Sequence, residues 1–145
     1  MSGSERLDEV GRWLSYAEED LRTAEALLGQ EDVPRQVCFH AQQAAEKAIK
    51  SIFVFLQTEF PYTHDLDRLR DLLPEGWSVK EEFADLSGLT FWATRGRYPG
   101  SPSEATEEEA ITAAEQAREV YESTREDLTQ HGYGPNEPET TEEDG

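Results

Sequence analysis

Three polar residues with different chemistry share one side of a segment that has helical periodicity. His40, Gln43 and Lys47 are spaced i, i+3 and i+7, which places them within about 60° of one another around a helix. An imidazole, an amide and an ammonium group on one face could bind a phosphate or the edge of a base. The alternative is structural: Lys47 and Lys50 pair with nearby acids, while His40 and Gln43 are satisfied at a dimer interface.

A second group of candidate residues lies in a segment, 94–103, whose Gly and Pro residues predict a loop. If this loop folds over the face that carries Lys47, Arg95 or Arg97 would add a planar, bidentate phosphate donor. Tyr98 would then supply a stacking surface. Alternatively, the arginines hydrogen-bond carbonyl groups at a helix end and hold the last helix in place.

The neighbouring residues His64 and Asp65 form a third candidate. The carboxylate could fix the tautomer of the imidazole, as a residue supporting the site, although such a pair more often only starts a helix. We expect no metal site, because Cys38, His40 and His64 have no recognised ligand spacing and no Glu-x-x-His pair occurs. A Gly-rich phosphate loop and a CxxC motif are also missing, so no cofactor is expected.

Five segments that would position these residues repeat apolar side chains at the three- and four-residue spacing of an amphipathic helix. They run from about Leu7 to Leu28, Pro34 to Gln57, Leu66 to Leu73, Ser78 to Ala93 and Thr106 to Leu128. Gly29 suits the left-handed position that ends the first helix. Short links between the helices predict an all-α, up-and-down antiparallel bundle over residues 5–131. The polar, Gly- and Pro-rich residues 132–145 predict an acidic, disordered tail.

Cap residues support three of the predicted helix starts. Thr63 is placed to cap the third helix. Ser78 with Glu81, and Thr106 with Glu109, have the spacing of a capping box. The sequence therefore predicts that one helix starts at Thr63, one at Ser78 and one at Thr106.

Aromatic residues flank the apolar stripes of the first two helices. Trp13 and Tyr16 lie beside the first stripe and are expected to widen its packing contact. Phe39 and Phe53 lie off the alanine-rich stripe of the second helix. They predict either a dimer or partner surface or packing against a later helix of the same chain.

The chain is strongly acidic, with 32 Asp and Glu against 13 Lys and Arg and a formal charge of −19 over 145 residues. This charge disfavours broad binding to nucleic-acid backbones, so any such contact must be local. It also suggests a halophilic protein, whose self-repulsion is screened by salt. A lone Cys38, no signal peptide and no apolar run of about 20 residues predict a cytoplasmic protein with no membrane contact.

Four pieces in this order resemble the HEPN domain (higher eukaryotes and prokaryotes nucleotide-binding) over roughly residues 6–128. They are WLSYAEEDLRTAEALL, CFHAQQAAEKAIKSIFVFL, THDLDRL and RGRYP. The resemblance implies a helical bundle that is usually a homodimer. Many prokaryotic members are encoded with a minimal nucleotidyltransferase, and such pairs are commonly toxin–antitoxin systems. We therefore expect a subunit that binds nucleotide or RNA beside such a partner, without catalysis of its own.

Two other functions stay open at this point. Some relatives in this family are metal-independent ribonuclease toxins with an Arg-x4-6-His motif and a composite site at the dimer interface. Here no His follows Arg95 or Arg97 within six residues, so the expected acid or base is missing. Arg125 and His131 have the right spacing but lie at the end of the last helix. The third possibility is an interaction module that binds only other proteins.

Overall fold

The computed structural model describes residues 2–30, 33–93 and 104–134. These residues form six α-helices and one 3-10 turn, and no strand. The elements are α1 (Gly3–Leu27), α2 (Pro34–Leu56), α3 (Leu66–Leu72), α4 (Ser78–Glu82), α5 (Ser87–Thr90), the 3-10 turn (Phe91–Ala93) and α6 (Glu107–Gln130). The predicted all-α bundle is confirmed. The predicted loop with Arg95, Arg97 and Tyr98, and residues 135–145 of the predicted tail, lie outside the described residues.

Helix α1 ends near Gly29 as predicted but begins at Gly3, four residues before the predicted start at Leu7, because Ser2 caps it. The Ser2 hydroxyl accepts from the Glu5 amide at 3.0 Å, and the Glu5 carboxylate accepts from the Ser2 amide at 2.9 Å. The predicted apolar stripe is buried, with Val10, Leu14, Ala17, Leu21 and Ala24 facing the core. Gly29 has φ of +81°, the left-handed conformation that favours glycine after a helix.

Helix α2 lies at the centre of the bundle and packs most extensively against α1 and α6. Pro34 occupies its first turn, where the missing N–H costs no hydrogen bond. The stripe of small residues that faces the neighbouring helices is fully buried and consists of Ala41, Ala44, Ala45 and Ala48. Because alanine projects only a methyl group, the helix backbones approach closely, and polar side chains on the remaining faces of α2 are brought near α1.

The predicted single helix from Ser78 to Ala93 is wrong, because the chain forms two short helices and a 3-10 turn there. The Arg70 guanidinium donates to the carbonyl oxygens of Phe83 at 2.6 Å and Ala84 at 2.8 Å. These carbonyls are thereby bound by a side chain from α3, and the helix ends at Glu82. A tertiary contact thus overrides the local helical pattern.

Two predicted caps are also corrected. Ser78 is the first residue of α4, not its cap; its amide and hydroxyl donate to the Asp127 carboxylate of α6, the hydroxyl at 2.9 Å. Asp65, not Thr63, caps α3 by accepting from the Arg68 amide at 3.2 Å.

The capping box at the start of α6 is present as predicted. The Thr106 hydroxyl accepts from the Glu109 amide at 3.0 Å, and the Glu109 carboxylate accepts from the Thr106 amide at 2.9 Å. Across the described ranges, no helix is long and apolar enough to cross a membrane.

The two phenylalanines expected at a partner surface have different environments. Phe53 is only 1% exposed and its ring centroid lies 5.6 Å from that of Phe60. It therefore packs inside the chain, where it contacts the loop after α2, and it is not exposed to a partner. Phe39 is half-buried, with its ring centroid 5.4 Å from that of His40, so a partner role at this residue stays a prediction.

Candidate functional site

Asp20 of α1 joins two of the predicted site residues of α2. One oxygen of its carboxylate lies 2.9 Å from Nδ1 of His40, and the other accepts from Nζ of Lys47 at 2.6 Å. Since an ionised carboxylate only accepts, Nδ1 of His40 carries the proton in this arrangement. Asp20 is 15% exposed, whereas His40 and Lys47 keep 28% and 30% of their side chains accessible. The structure thus places His40 and Lys47 on one face, and it pairs Lys47 with a partly buried acid, as the structural alternative predicts.

Gln43 belongs to a different group of contacts. Its amide Nε2 donates to Oε1 of Gln42 at 2.7 Å, and Nε2 of Gln42 donates to Oε1 of Glu46 at 2.8 Å. Gln42 is fully buried, so this chain of bonds runs from the surface into the protein. No hydrogen bond within the described chain connects Gln43 to Asp20. The third predicted residue therefore does not share the acceptor of the first two.

Glu46 is a nearly buried carboxylate, 8% exposed, that accepts hydrogen bonds from three side chains. Lys50 donates from Nζ at 2.7 Å, Gln42 at 2.8 Å, and Nδ1 of His64 lies 2.9 Å from one oxygen and 3.2 Å from the other. Burial raises the pKa of Glu46, but the bonds from Lys50, Gln42 and His64 outweigh it and leave this pKa below its ordinary value. Glu46 is therefore ionised at neutral pH.

The predicted His64–Asp65 pair does not form. Glu46 of α2 orients His64 by its contact with Nδ1 of the imidazole. The Asp65 carboxylate caps α3 instead. The carboxylate that fixes the imidazole thus comes from a residue 18 positions earlier in the chain. The sequence held one signal for Glu46: Gln42, Glu46 and Lys50 are spaced four residues apart, which allows side-chain pairing along a helix.

A surface cleft of about 340 Å³ lies beside Lys47, between α1 and α2. Its walls are formed by Glu9, Arg12, Trp13, Tyr16 and Lys47. Tyr16 is 55% exposed, and the Trp13 indole N–H donates to Glu9 at 3.2 Å. Arg12 is paired with the same carboxylate.

This cleft combines groups that suit a nucleotide. Two aromatic rings offer stacking surfaces, and a lysine and an arginine offer donors to phosphate. Its volume falls at the lower end of the range of small-molecule sites. The position of Trp13 and Tyr16 beside the apolar stripe predicts helix packing. Their place in a cleft beside Lys47 cannot be read from α1 alone.

Comparison with known proteins identifies the family of this chain. A family model described as HEPN domain matches residues 10–127. The chain belongs to the HEPN family. It is also similar to the crystal structure of TT1696 from Thermus thermophilus, with 30% sequence identity and a TM-score of 0.72 over 82% of this chain and 98% of that one. A comparison with curated proteins gave no match.

Membership in the HEPN family supports, at the family level, a function connected with nucleotides or RNA. HEPN domains also commonly form dimers. The matched region contains both the Asp20 contacts and the Glu46 contacts, as well as the cleft residues from Arg12 onward.

The Arg125–His131 spacing of this HEPN chain does not form a joint site. Nδ1 of His131 donates to the carbonyl oxygen of Asp127 at 2.9 Å, and its ring stacks on Trp77 with centroids 3.9 Å apart and planes 10° from parallel. His131 therefore ends α6 and packs on the residue that precedes α4. Among the described residues, no group of three His, Cys, Asp or Glu side chains could hold a metal ion.

Proposed function

We propose that this chain is a HEPN subunit that binds a nucleotide or an RNA end in the cleft beside Lys47, without catalysis of its own. The observation that carries the proposal is the position of Lys47. An amine predicted from α2 to bind phosphate lines the same cleft as the aromatic rings of Trp13 and Tyr16 from α1. A base stacked on Tyr16 would leave its phosphate within reach of a cation.

The charges around the cleft balance one another, which permits a local anion site on an acidic protein. Lys47 is balanced by Asp20, and Arg12 by Glu9, so these four side chains sum to zero in a chain of net charge −19. A phosphate would compete with Asp20 and Glu9 for cations that already point to carboxylates. Binding of a single nucleotide is consistent with this balance, whereas a long phosphate backbone would meet repulsion elsewhere.

The sequence adds further groups to this proposal. His40, on the other oxygen of Asp20, would offer Nε2 as a second polar contact, and Gln43 lies between His40 and Lys47 along α2. Arg95, Arg97 and Tyr98 fall outside the described residues and enter as predictions from the sequence alone. Of these, Arg97 is the residue expected to contact phosphate.

Calorimetric titration with AMP tests the binding site. We expect Lys47→Ala to weaken binding by about 10-fold or more, the value of one charge-assisted hydrogen bond, and Arg97→Ala to weaken it further. The matched control is Lys80→Ala, since Lys80 lies on α4 and donates to the carbonyl oxygen of Asp71 at 2.9 Å. Equal affinity of the Lys47 and Lys80 variants, or no AMP binding by the wild type, would overturn the site.

We also propose that the subunit forms a homodimer and works beside a minimal nucleotidyltransferase, as a toxin–antitoxin-like pair. This part is supported by HEPN membership. A tagged chain recovered from a host lysate in high salt should carry a second chain with a nucleotidyltransferase sequence, in fixed ratio by light scattering. Recovery of a bare homodimer would contradict the pairing. Cleavage of single-stranded RNA in EDTA, lost on Arg97→Ala, would instead identify a ribonuclease.

A further inference from the structure

A small cavity lies between α1 and α6, on the opposite side of α1 from the cleft beside Lys47. Its volume is about 210 Å³, roughly that of seven water molecules in the liquid. At 100° per residue, the residues of α1 that line the cavity and those that line the cleft are centred about 160° apart around the helix. The two sites are therefore separate. The cavity is lined by Gly11, Leu14, Ser15, Glu18, Tyr121, Arg125, Thr129 and Tyr133.

Tyr121 brings to this cavity a hydroxyl that the protein leaves unpaired. The residue is only 4% exposed and lines the cavity, and the described residues give its hydroxyl no hydrogen-bond partner. Burial raises the pKa of this phenol, so the hydroxyl keeps its proton and can donate. Since the polar group of a buried side chain is normally bonded, Tyr121 offers a donor whose partner would come from a ligand.

A second phenol, Tyr133, reaches the same cavity because residue 11 is a glycine. A Cβ atom at position 11 would lie 3.2 Å from the Tyr133 hydroxyl oxygen, which is tighter than most contacts of a Cβ. Glycine is unfavourable in the interior of a helix, and Gly11 lies well inside α1. Its place there gives the Tyr133 hydroxyl room to approach the helix.

Arg125 is a cation in the cavity lining that has no counter-ion. Burial raises the pKa of Tyr121 and Tyr133, and the charge of Arg125 opposes this rise in both, which places the guanidinium near both phenols. No described carboxylate forms an ion pair with it. The acid of the lining, Glu18, is already paired with Arg22 at 2.9 Å. One unbalanced positive charge therefore lies beside two phenol donors.

We propose that this cavity binds the carboxylate of a small organic acid, with Arg125 as its counter-ion and the hydroxyls of Tyr121 and Tyr133 as donors. Arginine binds carboxylates through two parallel hydrogen bonds, and Leu14 provides an apolar wall for a short carbon chain. The single unbalanced charge favours a monoanion, since Asp8, whose charge acts on Tyr133, would repel a doubly charged phosphate. The volume lies below the range of about 300–1,000 Å³ for drug-sized ligands, so the acid has only a few carbon atoms.

A titration with butyrate, followed by nitrogen–proton correlation spectra, tests the inference. The Gly11 amide and the Arg125 Nε–H signals should shift to saturation, and butyramide, a neutral molecule of the same size, should bind at least about 10-fold more weakly. Arg125→Gln should weaken butyrate binding by about 10-fold or more. Tyr121→Phe, which removes only the unpaired hydroxyl, should weaken it by about 2- to 10-fold and leave the urea midpoint unchanged. Arg68→Gln is the matched control, because Arg68 is exposed on α3, and it should bind as the wild type does.

Three results would overturn the carboxylate site. The first is the absence of saturable shifts with butyrate, or binding of butyramide with equal affinity. The second is equal affinity of the Arg125, Tyr121 and Arg68 variants for butyrate, which would show that it binds elsewhere. The third is tighter binding of inorganic phosphate than of butyrate at the same signals, which would show a site for a different anion. Nucleotide binding in the cleft beside Lys47 is tested separately, by AMP and the Lys47→Ala variant, so either proposal can fail while the other stands.

Discussion

Replacing Glu46 by Gln should destabilise the bundle far more than any surface charge change. The substitution keeps the volume of the side chain but leaves the Lys50 ammonium, 8% exposed, without its counter-ion. Removing one partner of a buried ion pair costs about 3–5 kcal/mol, which lowers the folding equilibrium constant by about 100- to 5,000-fold. With a urea m-value of about 2 kcal/mol per molar, the unfolding midpoint should fall by about 1.5–2.5 M.

Two comparison variants test the cause of this loss. Glu18→Gln removes an acid from an exposed pair with Arg22 and should cost about 0–1 kcal/mol. The double variant Glu46→Gln with Lys50→Met removes both buried charges and should recover much of the lost stability. If Glu46→Gln costs no more than Glu18→Gln, or if the double variant is no more stable than Glu46→Gln, the account of this buried pair is wrong.

The same contact predicts a pH dependence. Because the folded pKa of Glu46 lies below its ordinary value of 4.5, its contribution is complete above that value and is lost as pH falls through the folded pKa. Wild-type stability should therefore fall more steeply in acid than that of Glu46→Gln. Urea unfolding of both proteins at pH 7 and at pH 4 measures how much unfolding free energy each one loses. Equal losses in the wild type and the variant would contradict the assigned direction of the pKa shift.

Three further predictions concern other parts of the molecule. Burial raises the pKa of the Cys38 thiol to about 12, so at pH 8 a disulfide reagent should leave it unmodified in the folded protein and react with it in urea; rapid reaction in buffer would refute this. Asp127→Ala removes the acceptor for the amide and hydroxyl of Ser78 and should cost about 1–3 kcal/mol in urea unfolding, whereas a cost below about 0.5 kcal/mol would show that water replaces the carboxylate. A net charge of −19 predicts that the melting temperature rises between low and molar KCl, and an unchanged or lower value would contradict a halophilic protein.

The long helices could be predicted from the sequence because their signals are local. The stripe around Leu14 and Leu21, and the capping box at Thr106, depend on residues within a few positions of one another. The break after Glu82 could not be predicted, since it depends on Arg70, which reaches carbonyl groups 13 and 14 residues later. No local pattern indicates such a contact.

In the candidate site, too, local features could be predicted from the sequence and contacts between helices could not. Helical spacing alone placed His40 and Lys47 on one face, and the structure agrees. Their shared acceptor, Asp20, lies on another helix, and its identity depends on how α1 and α2 pack in register. The place of Tyr16 in the cleft also depends on this packing. An aromatic residue beside an apolar stripe is buried or exposed according to the position of the neighbouring helix.

The central claim, nucleotide binding in the cleft beside Lys47, is tested most directly by the indole N–H signals of the three tryptophans. Trp13 lines the cleft and donates its indole N–H to Glu9, whereas Trp77 and Trp92 are 2% and 5% exposed and lie elsewhere. In a titration with AMP followed by nitrogen–proton correlation spectra, the Trp13 signal should shift while the other two stay in place. An unmoved Trp13 signal at saturating AMP, or equal shifts of all three, would contradict the account.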